Sequence, residues 1–148
     1  MFFGEYFHTL DEKGRVAIPA KCRGEASFVD GKETWFITRG FERCLMVFTA
    51  DAWNTMMRDN MSSLSMGNKE HRVFIRNFVS PAVEVQADKQ GRILLPQHLR
   101  EYASIKRDVT ILGAGKYLEV WDGAVLNSEQ AENANIEAIG EKLAELGL

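Results

Sequence analysis

The alternation of apolar and polar residues predicts two β-rich segments with the same layout. Residues 2–10 and 16–18 are rich in aromatic and β-branched side chains, and a polar turn that ends at Gly14 separates them. Residues 83–95 repeat the arrangement around a turn that ends at Gly91. Each turn begins with Asp, which can bond the backbone ahead of it, and its glycine accepts a positive φ. Each segment is therefore predicted to form a β-hairpin.

A short helix and a second strand pair follow each predicted hairpin. Pro19 and Pro96 end the hairpins, because proline offers no N–H to a sheet and fits the first turn of a helix. Short helices are predicted at residues 20–23 and 97–100. The second strand pairs join residues 34–38 with 45–48, and residues 109–112 with 117–121. Each unit is thus strand, turn, strand, short helix, strand, turn, strand.

Helical spacing of apolar residues marks the connection between the units and the end of the chain. Thr49 and Asp51 favour a helix start, and the apolar face of that helix would be Trp53, Met56, Met57, Met61 and Leu64. A linker helix packed on the sheet is predicted for residues 68–78. From residue 127 a Glu- and Ala-rich helix is predicted. Its one apolar stripe is Ile136, Ile139, Leu143 and Leu146, which favours packing on the body or on a neighbouring subunit.

The two units also share sequence, so the chain contains an internal repeat. Asp-Glu-Lys-Gly-Arg-Val-Ala-Ile-Pro at residues 11–19 returns as Asp-Lys-Gln-Gly-Arg-Ile-Leu-Leu-Pro at residues 88–96. When the alignment is extended to Arg23 and Arg100, five of thirteen positions are identical. A chain of 148 residues has the size of one domain, so the two copies are expected to share a single core.

Charge is distributed unevenly along the chain, so the negative net charge does not exclude a nucleic-acid partner. The formal net charge is −3, but residues 117–148 hold seven acidic residues against one lysine, so residues 1–116 are mildly basic. The sequence has no apolar stretch of membrane-spanning length and no secretory signal at its start, so a soluble cytoplasmic protein is expected, with no membrane partner. Cys22 and Cys44 are interpreted as buried thiols rather than as a redox pair.

Motifs for catalysis are mostly absent. Gly113-Ala114-Gly115 follows a strand as a dinucleotide loop would, but Leu118 occupies the third glycine position, so a hairpin turn is the better interpretation. No phosphate-binding loop and no nucleophile elbow occur in the sequence. His8, His71 and His98 have no partners at metal-ligand spacing. We therefore expect no enzyme activity, no cofactor, no metal and no small-molecule substrate.

The candidate functional feature is an Asp-x-x-x-Arg spacing in both predicted turns. Asp11 and Arg15 can approach each other across the first turn, as can Asp88 and Arg92 across the second. Such a carboxylate would hold the guanidinium in one orientation. Arginine can donate two parallel hydrogen bonds to O6 and N7 of guanine in the major groove of DNA, and a two-stranded β-ribbon fits that groove. The aspartates are therefore candidate orienting groups, and the arginines are candidate base readers.

Basic residues near the turns are candidates for neutralising DNA phosphates and setting register. These residues are Lys13, Lys89, Lys21, Arg23, Arg100, Lys106 and Arg107. For Arg23 and Arg100 the favoured alternative is that they cap the short helices or pair with the turn carboxylates. The alternative for the whole motif is that Asp and Gly serve the turn, and that the ion pair contributes at most about 1 kcal/mol on the surface. The pattern alone favours neither alternative.

The two copies differ in positive charge. Lys13 and Lys21 of the first copy correspond to Gln90 and His98 of the second. The first copy is therefore predicted to make the stronger DNA contact.

On these motifs the sequence resembles the MraZ family of bacterial transcriptional regulators, which carry two tandem SpoVT/AbrB-type swapped-hairpin units. The resemblance runs from Met1-Phe2 through both Asp-x-x-x-Arg motifs to residues 95–100 and 117–122. It implies an α+β, β-rich fold in which two swapped-hairpin units form a pseudo-dimeric β-barrel with linking and C-terminal helices. The implied boundaries are 5–51 for the first repeat, 52–78 for the linker helices, 79–124 for the second repeat and 125–148 for an acidic C-terminal helix.

The function implied by the resemblance is sequence-specific binding to double-stranded DNA. The targets would be short G-containing direct repeats upstream of the family's own gene, at the head of a cell-division and cell-wall gene cluster. The protein would act as a nucleoid-associated, ring-shaped homo-oligomer, and the family motif carries over to Asp11 with Arg15 and to Asp88 with Arg92. The alternative from another class is an oligomeric module that docks a protein partner, with DNA contact incidental.

Overall fold

Over residues 1–133 and 135–147, which a computed structural model describes, the chain forms nine β-strands and six α-helices. The first half contains β1 (Glu5–Thr9), β2 (Arg15–Ala17), α1 (Ala20–Arg23), β3 (Ser27–Val29), β4 (Lys32–Arg39) and β5 (Leu45–Thr49). The connection contains α2 (Ala50–Asp59), a 3₁₀ turn at Met61–Ser63, and α3 (Lys69–Phe74), which continues as a π-helical segment at Ile75–Val79. The second half contains β6 (Val83–Gln86), β7 (Arg92–Leu94), α4 (Gln97–Tyr102), β8 (Asp108–Gly113), β9 (Leu118–Asp122), α5 (Gly123–Asn133), α6 (Ile136–Leu143) and a 3₁₀ turn at Ala144–Leu146.

Seven of the strands form one antiparallel sheet. Its order is β1-β8-β9-β5-β4-β3, with β6 also paired to β4, and β2 pairs with β7 in a separate two-stranded sheet. The predicted pairs β4 with β5 and β8 with β9 are confirmed, as is the mixed, sheet-rich α+β class. Within the described residues the ladder runs from β1 to β3 without closing on itself, so strand pairing does not form the predicted closed barrel.

The two predicted hairpins form their turns but not their internal pairing, and that part of the prediction is wrong. β1 pairs with β8, β6 pairs with β4, and β2 pairs with β7. A three-residue strand cannot bury its apolar side chain alone. Pairing β2 with its own copy places Val16 opposite Ile93, and both are buried in the core. Burial of apolar area across the repeats therefore decides the pairing.

One strand, β3, was not predicted from the sequence. β3 pairs with the start of β4 through the two-residue loop Asp30-Gly31, whose φ angles are +52° and +76°. Two consecutive positive φ angles are typical of a tight hairpin turn, for which Asp-Gly is a preferred sequence. The Asp30-Gly31 dipeptide was therefore the sequence signal from which this hairpin could have been predicted.

The core joins both repeats and extends under the linker helices. Its main cluster includes Val16, Ile18, Trp35, Ile37, Leu45, Val47, Ile93, Leu95, Ile111 and Leu118. An aromatic cluster lies beneath α2 and the π-helical segment, where the ring of Trp53 stacks on Phe36 at 5.2 Å and on Phe78 at 5.7 Å between centroids. The predicted packing of the linker helix on the sheet is confirmed.

The helix starts follow the predicted residues. The Thr49 side chain accepts a hydrogen bond from the Ala52 N–H at 3.1 Å, which caps α2. Asn68 caps α3 by accepting from the N–H groups of Glu70 and His71. α2 ends at Asp59, before the last two predicted apolar positions. Among the described residues, no helix has the length and apolar character needed to cross a membrane.

The C-terminal region contains two helices where one was predicted, and it begins at Gly123, earlier than expected. Ala134 and Leu148, which belong to the predicted helix, lie outside the described residues. Of the predicted apolar stripe, Ile136 is 78% exposed and Leu146 is 75% exposed. Ile139 is 47% exposed and Leu143 is half-buried, so most of the stripe stays open on its own chain, and packing on a neighbouring subunit stays a prediction.

Candidate nucleic-acid interface

The first turn is organised around the carboxylate of Asp11. Its Oδ1 accepts hydrogen bonds from the backbone N–H groups of Lys13 and Arg15, each at 2.9 Å. Its Oδ2 accepts from Nε of Arg15 at 2.8 Å. Two backbone bonds close the turn, and Gly14 adopts a φ of +83°. One side chain thus fixes both the backbone of the turn and the direction of its arginine.

The second turn has the same geometry. Oδ1 of Asp88 accepts from the backbone N–H groups of Gln90 and Arg92 at 2.9 Å, and Oδ2 accepts from Nε of Arg92 at 2.8 Å. Gly91 adopts a φ of +77°. The Asp–Arg pairing predicted from the four-residue spacing is therefore confirmed in both copies.

The β2–β7 pairing brings the two turns together in one cluster of four charges. Nη1 of Arg92 lies 3.4 Å from Oδ2 of Asp11, and Nη1 of Arg15 lies 3.8 Å from Oδ2 of Asp88. The four side chains are each about 30% exposed. Their charges cancel, so the cluster is neutral and each guanidinium is braced by carboxylates of both repeats.

Hydrogen bonding determines the ionisation of the two carboxylates. The backbone hydrogen bond from Arg15 is the largest cause that lowers the pKa of Asp11, and the one from Arg92 does the same for Asp88. Burial opposes this by raising both pKa values, while the guanidinium hydrogen bonds lower them further. Both groups are therefore carboxylates at neutral pH and available to orient the arginines.

Arg23 and Arg100 make contacts that differ from those predicted. Nε and Nη2 of Arg23 donate to Oε1 of Glu33 at 3.4 and 3.3 Å. Nε of Arg100 donates to the backbone carbonyl of Leu95 at 2.9 Å. Neither contact is a helix cap or an ion pair with a turn carboxylate, so that favoured alternative was wrong. Arg23 instead pairs with a residue of β4, and Arg100 bonds the carbonyl of the residue before Pro96.

The lysines around the turns are exposed. Lys13 and Lys89 lie within the turns and Lys21 lies on α1. Within residues 1–133 and 135–147, none of the three forms an ion pair. These three lysines offer positive charge near the cluster that no ion pair compensates.

The other candidate sites considered in the sequence have structural roles. Ala114 N–H donates to the carbonyl of Tyr117 at 2.9 Å, which confirms a hairpin turn between β8 and β9 in place of a dinucleotide loop. Cys22 and Cys44 are buried and free, as predicted, and burial is the main cause that raises the pKa of Cys44 to about 12. Among the described residues, no group of three or more His, Cys, Asp and Glu side chains is arranged to hold a metal ion.

Comparison with known proteins matches both repeats to one family. A family model described as "MraZ protein, putative antitoxin-like" matches residues 1–77 and again residues 78–143. The transcriptional regulator MraZ of Acetivibrio thermocellus is 42% identical over 149 residues, which cover 100% of both chains. The transcriptional regulator MraZ of Carboxydothermus hydrogenoformans is 40% identical over 146 residues, which cover 98% of each chain. The names of both relatives describe regulators of transcription and not enzymes.

Proposed function

The chain belongs to the MraZ family, and on that premise we propose that it is a sequence-specific DNA-binding regulator of transcription. The observation that carries the proposal is the neutral cluster of Asp11, Arg15, Asp88 and Arg92. In this cluster two partly exposed guanidinium groups are held side by side by carboxylates. A turn of this kind needs its Asp and Gly, but it does not need an arginine braced from two sides.

Arg15 and Arg92 would read guanine. Nε of each arginine is occupied by the aspartate of its own turn, and Nη2 of each has no hydrogen bond within the described part of the chain. The terminal amino groups would donate to O6 and N7 of a guanine, a contact worth about 1–3 kcal/mol of discrimination between bases. Because the carboxylates already orient the guanidinium groups, less side-chain entropy is lost on binding.

Affinity would come from other residues. The Asp–Arg cluster carries no net charge, so Lys13, Lys89 and Lys21 would supply the attraction to phosphates. Specificity and affinity are then separable, and variants at the arginines and at the lysines should differ in their dependence on salt.

The proposed targets are short G-containing direct repeats upstream of the protein's own gene, at the head of a cell-division and cell-wall gene cluster. The proposed active form is a ring-shaped homo-oligomer in the cytoplasm, associated with the nucleoid, and each chain would contribute two swapped-hairpin units that mimic a dimer. Several Asp–Arg turns on one ring could engage repeated boxes by avidity. The net charge of −3 supports this part of the proposal, because a single chain with that charge should bind DNA weakly.

A gel-shift titration tests the proposal. Purified protein is titrated at fixed salt on DNA from upstream of its gene and on a scrambled duplex of the same length. We expect selective binding that falls about tenfold or more in Arg15→Ala and in Arg92→Ala. The Lys variants of the same residues should keep non-specific binding but lose selectivity, since lysine lacks the planar fork. Equal, weak binding of the wild-type protein to both duplexes would overturn the proposal.

The same titration includes a matched control, and a capture experiment tests the alternative function as a protein-docking module. Arg58→Ala removes an exposed arginine of α2, whose side chain pairs with Asp59, and it should leave binding unchanged. The exposed apolar side chains of α6 lie in an acidic segment and favour a protein contact there. A partner that is captured by Arg15→Ala but lost on removal of residues 127–148 would favour the docking module instead.

A further inference from the structure

Each turn glycine is covered by an arginine of the opposite repeat. A Cβ added to Gly14 would lie 3.0 Å from Cζ of Arg100, and one added to Gly91 would lie 2.6 Å from Cζ of Arg23. A side chain at either glycine would have to push the end of that arginine aside, and it would also have to adopt a positive φ. The two guanidinium groups therefore lie against the backbone of the turns.

Backbone hydrogen bonds reinforce the same crossed contacts. The N–H of Leu95 donates to the carbonyl of Gly14 at 2.9 Å, and the N–H of Ile18 donates to the carbonyl of Gly91 at 2.9 Å. The carbonyl of Leu95 in turn accepts from Nε of Arg100, which covers Gly14. Gly14, Leu95 and Arg100 thus contact one another and link the first turn to the second repeat.

The charge of Arg23 is already paired with a carboxylate, and the guanidinium of Arg100 is held by a backbone carbonyl. Oε1 of Glu33 lies 3.3 Å from Nη2 of Arg23, and the side chain of Glu33 is only 9% exposed. Its other oxygen accepts from the indole N–H of Trp35 at 3.1 Å, and that tryptophan is buried. A DNA phosphate approaching Arg23 would therefore meet a fixed carboxylate. Arg100 is half-buried, and its Nε is used by a backbone carbonyl.

We propose that Arg23 and Arg100 are positioning residues, each of which holds the DNA-reading turn of the opposite repeat in place, and that they do not bind phosphate. The inference rests on the proposed function of the Asp–Arg turns and replaces the phosphate role predicted for these two arginines from the sequence. Arg23 supports the turn that carries Arg92, and Arg100 supports the turn that carries Arg15.

A salt series of binding measurements separates positioning from phosphate contact. The variants are Arg23→Lys and Arg100→Lys, which keep the charge, with Lys13→Ala as the matched phosphate variant. We expect the two Lys variants to lose about tenfold in affinity for the upstream DNA, with non-specific affinity and the slope of log K against log salt unchanged. Two outcomes would overturn the proposal and assign Arg23 and Arg100 to phosphates. One is wild-type affinity in both Lys variants. The other is a slope of log K against log salt that is lower by about one in Arg23→Ala and Arg100→Ala.

Glu33→Gln provides a second comparison, because glutamine keeps an acceptor for Trp35 but removes the charge that holds Arg23. The positioning role predicts weaker selective binding and an unchanged slope of log K against log salt. A slope that steepens by about one in this variant would mean that a released Arg23 reaches phosphate, contrary to the proposal.

Amide hydrogen exchange tests the positioning role without DNA. In Arg100→Lys the N–H groups of Gly14 and Arg15 should exchange about tenfold faster, while those of Gly91 and Arg92 stay unchanged. In Arg23→Lys the pattern should be reversed. Unchanged exchange in the crossed turn, in a variant that melts like the wild type, would overturn the proposal. If the wild type does not bind the upstream DNA selectively, the proposed function fails, whereas the exchange pattern still tests the positioning role.

Discussion

Nη1 of Arg92 lies 3.4 Å from Oδ2 of Asp11, although the two residues are 81 positions apart in the chain. The same oxygen accepts from Nε of Arg15 at 2.8 Å, so one carboxylate orients both arginines of the candidate interface. A change at Asp11 should therefore affect DNA contacts of both repeats, and the effects of variants within the cluster should not be additive.

Asp11→Asn tests this coupling when it is added to Arg15→Ala. Asparagine still accepts the backbone hydrogen bonds of the turn through its oxygen, but it lacks the negative charge. In the Arg15→Ala background, Asp11 still braces Arg92, so the second change should weaken specific DNA binding by about a further threefold. In a background that lacks both arginines, Asp11→Asn should change little. Identical affinities of Arg15→Ala and the Asp11→Asn double variant in a titration would show that the turns act separately.

The contacts within each turn could be predicted from the sequence, while the contacts between turns could not. A four-residue spacing across a tight turn limits how far Asp11 and Arg15 can separate, so their pairing follows from local geometry. The contact with Arg92 depends on β2 pairing with β7, which is decided by joint burial of Val16 and Ile93. Local sequence patterns predict that β2 pairs within its own hairpin, because they carry no information on apolar area that distant segments bury together.

The contacts of Arg23 were missed for a related reason. Its place at the end of the predicted short helix indicated a helix cap or an ion pair with a turn carboxylate. Glu33, its ion-pair partner, lies ten residues away, and Gly91 lies in the other repeat. No sequence pattern marks the contact of Arg23 with Glu33 or with Gly91. The internal repeat was the only indication that Arg23 and Arg100 would occupy equivalent positions.

The stability of the protein should depend on Asp11 and Asp88 in acid. Their pKa values are lowered from 3.8 in the folded state, mainly by backbone hydrogen bonds from Arg15 and Arg92, so the unfolded chain binds protons more readily. The contribution of the carboxylates is therefore complete above about pH 4 and is lost as the pH falls through the lower folded values. The melting-temperature difference between wild type and an Asp11→Asn, Asp88→Asn variant should shrink below about pH 4. A difference that stays constant from neutral pH to strong acid would contradict this assignment.

The cap of α2 should have a measurable effect on stability. Thr49→Ala removes the oxygen that accepts from the Ala52 N–H, which should cost about 1 kcal/mol and lower the melting temperature by about 2–4 °C. Thr49→Ser keeps the hydroxyl and is the matched control. Thermal unfolding followed by circular dichroism checks the difference, and equal losses in the two variants would assign the effect to packing of the threonine methyl group.

The two thiols should be unreactive in the folded protein. With its pKa raised to about 12 by burial, Cys44 is a thiolate in only about one molecule in ten thousand at pH 8. Burial also raises the pKa of Cys22. A chromogenic disulfide reagent should therefore label neither residue in native buffer and both in denaturant. Rapid labelling of one thiol in the native protein would contradict the buried positions.

The pairing of β1 with β8 limits when the protein can acquire its fold during synthesis. Glu5 is opposite Leu112 and Thr9 is opposite Asp108, so β1 of the first repeat has its partner in the second repeat. High contact order of this kind slows folding, because the intervening chain must be ordered before the pairing is gained. While the ribosome is still translating the second repeat, the nascent first repeat lacks the neighbours of both β1 and β2. Its apolar side chains stay exposed to chaperones until the second repeat has been translated.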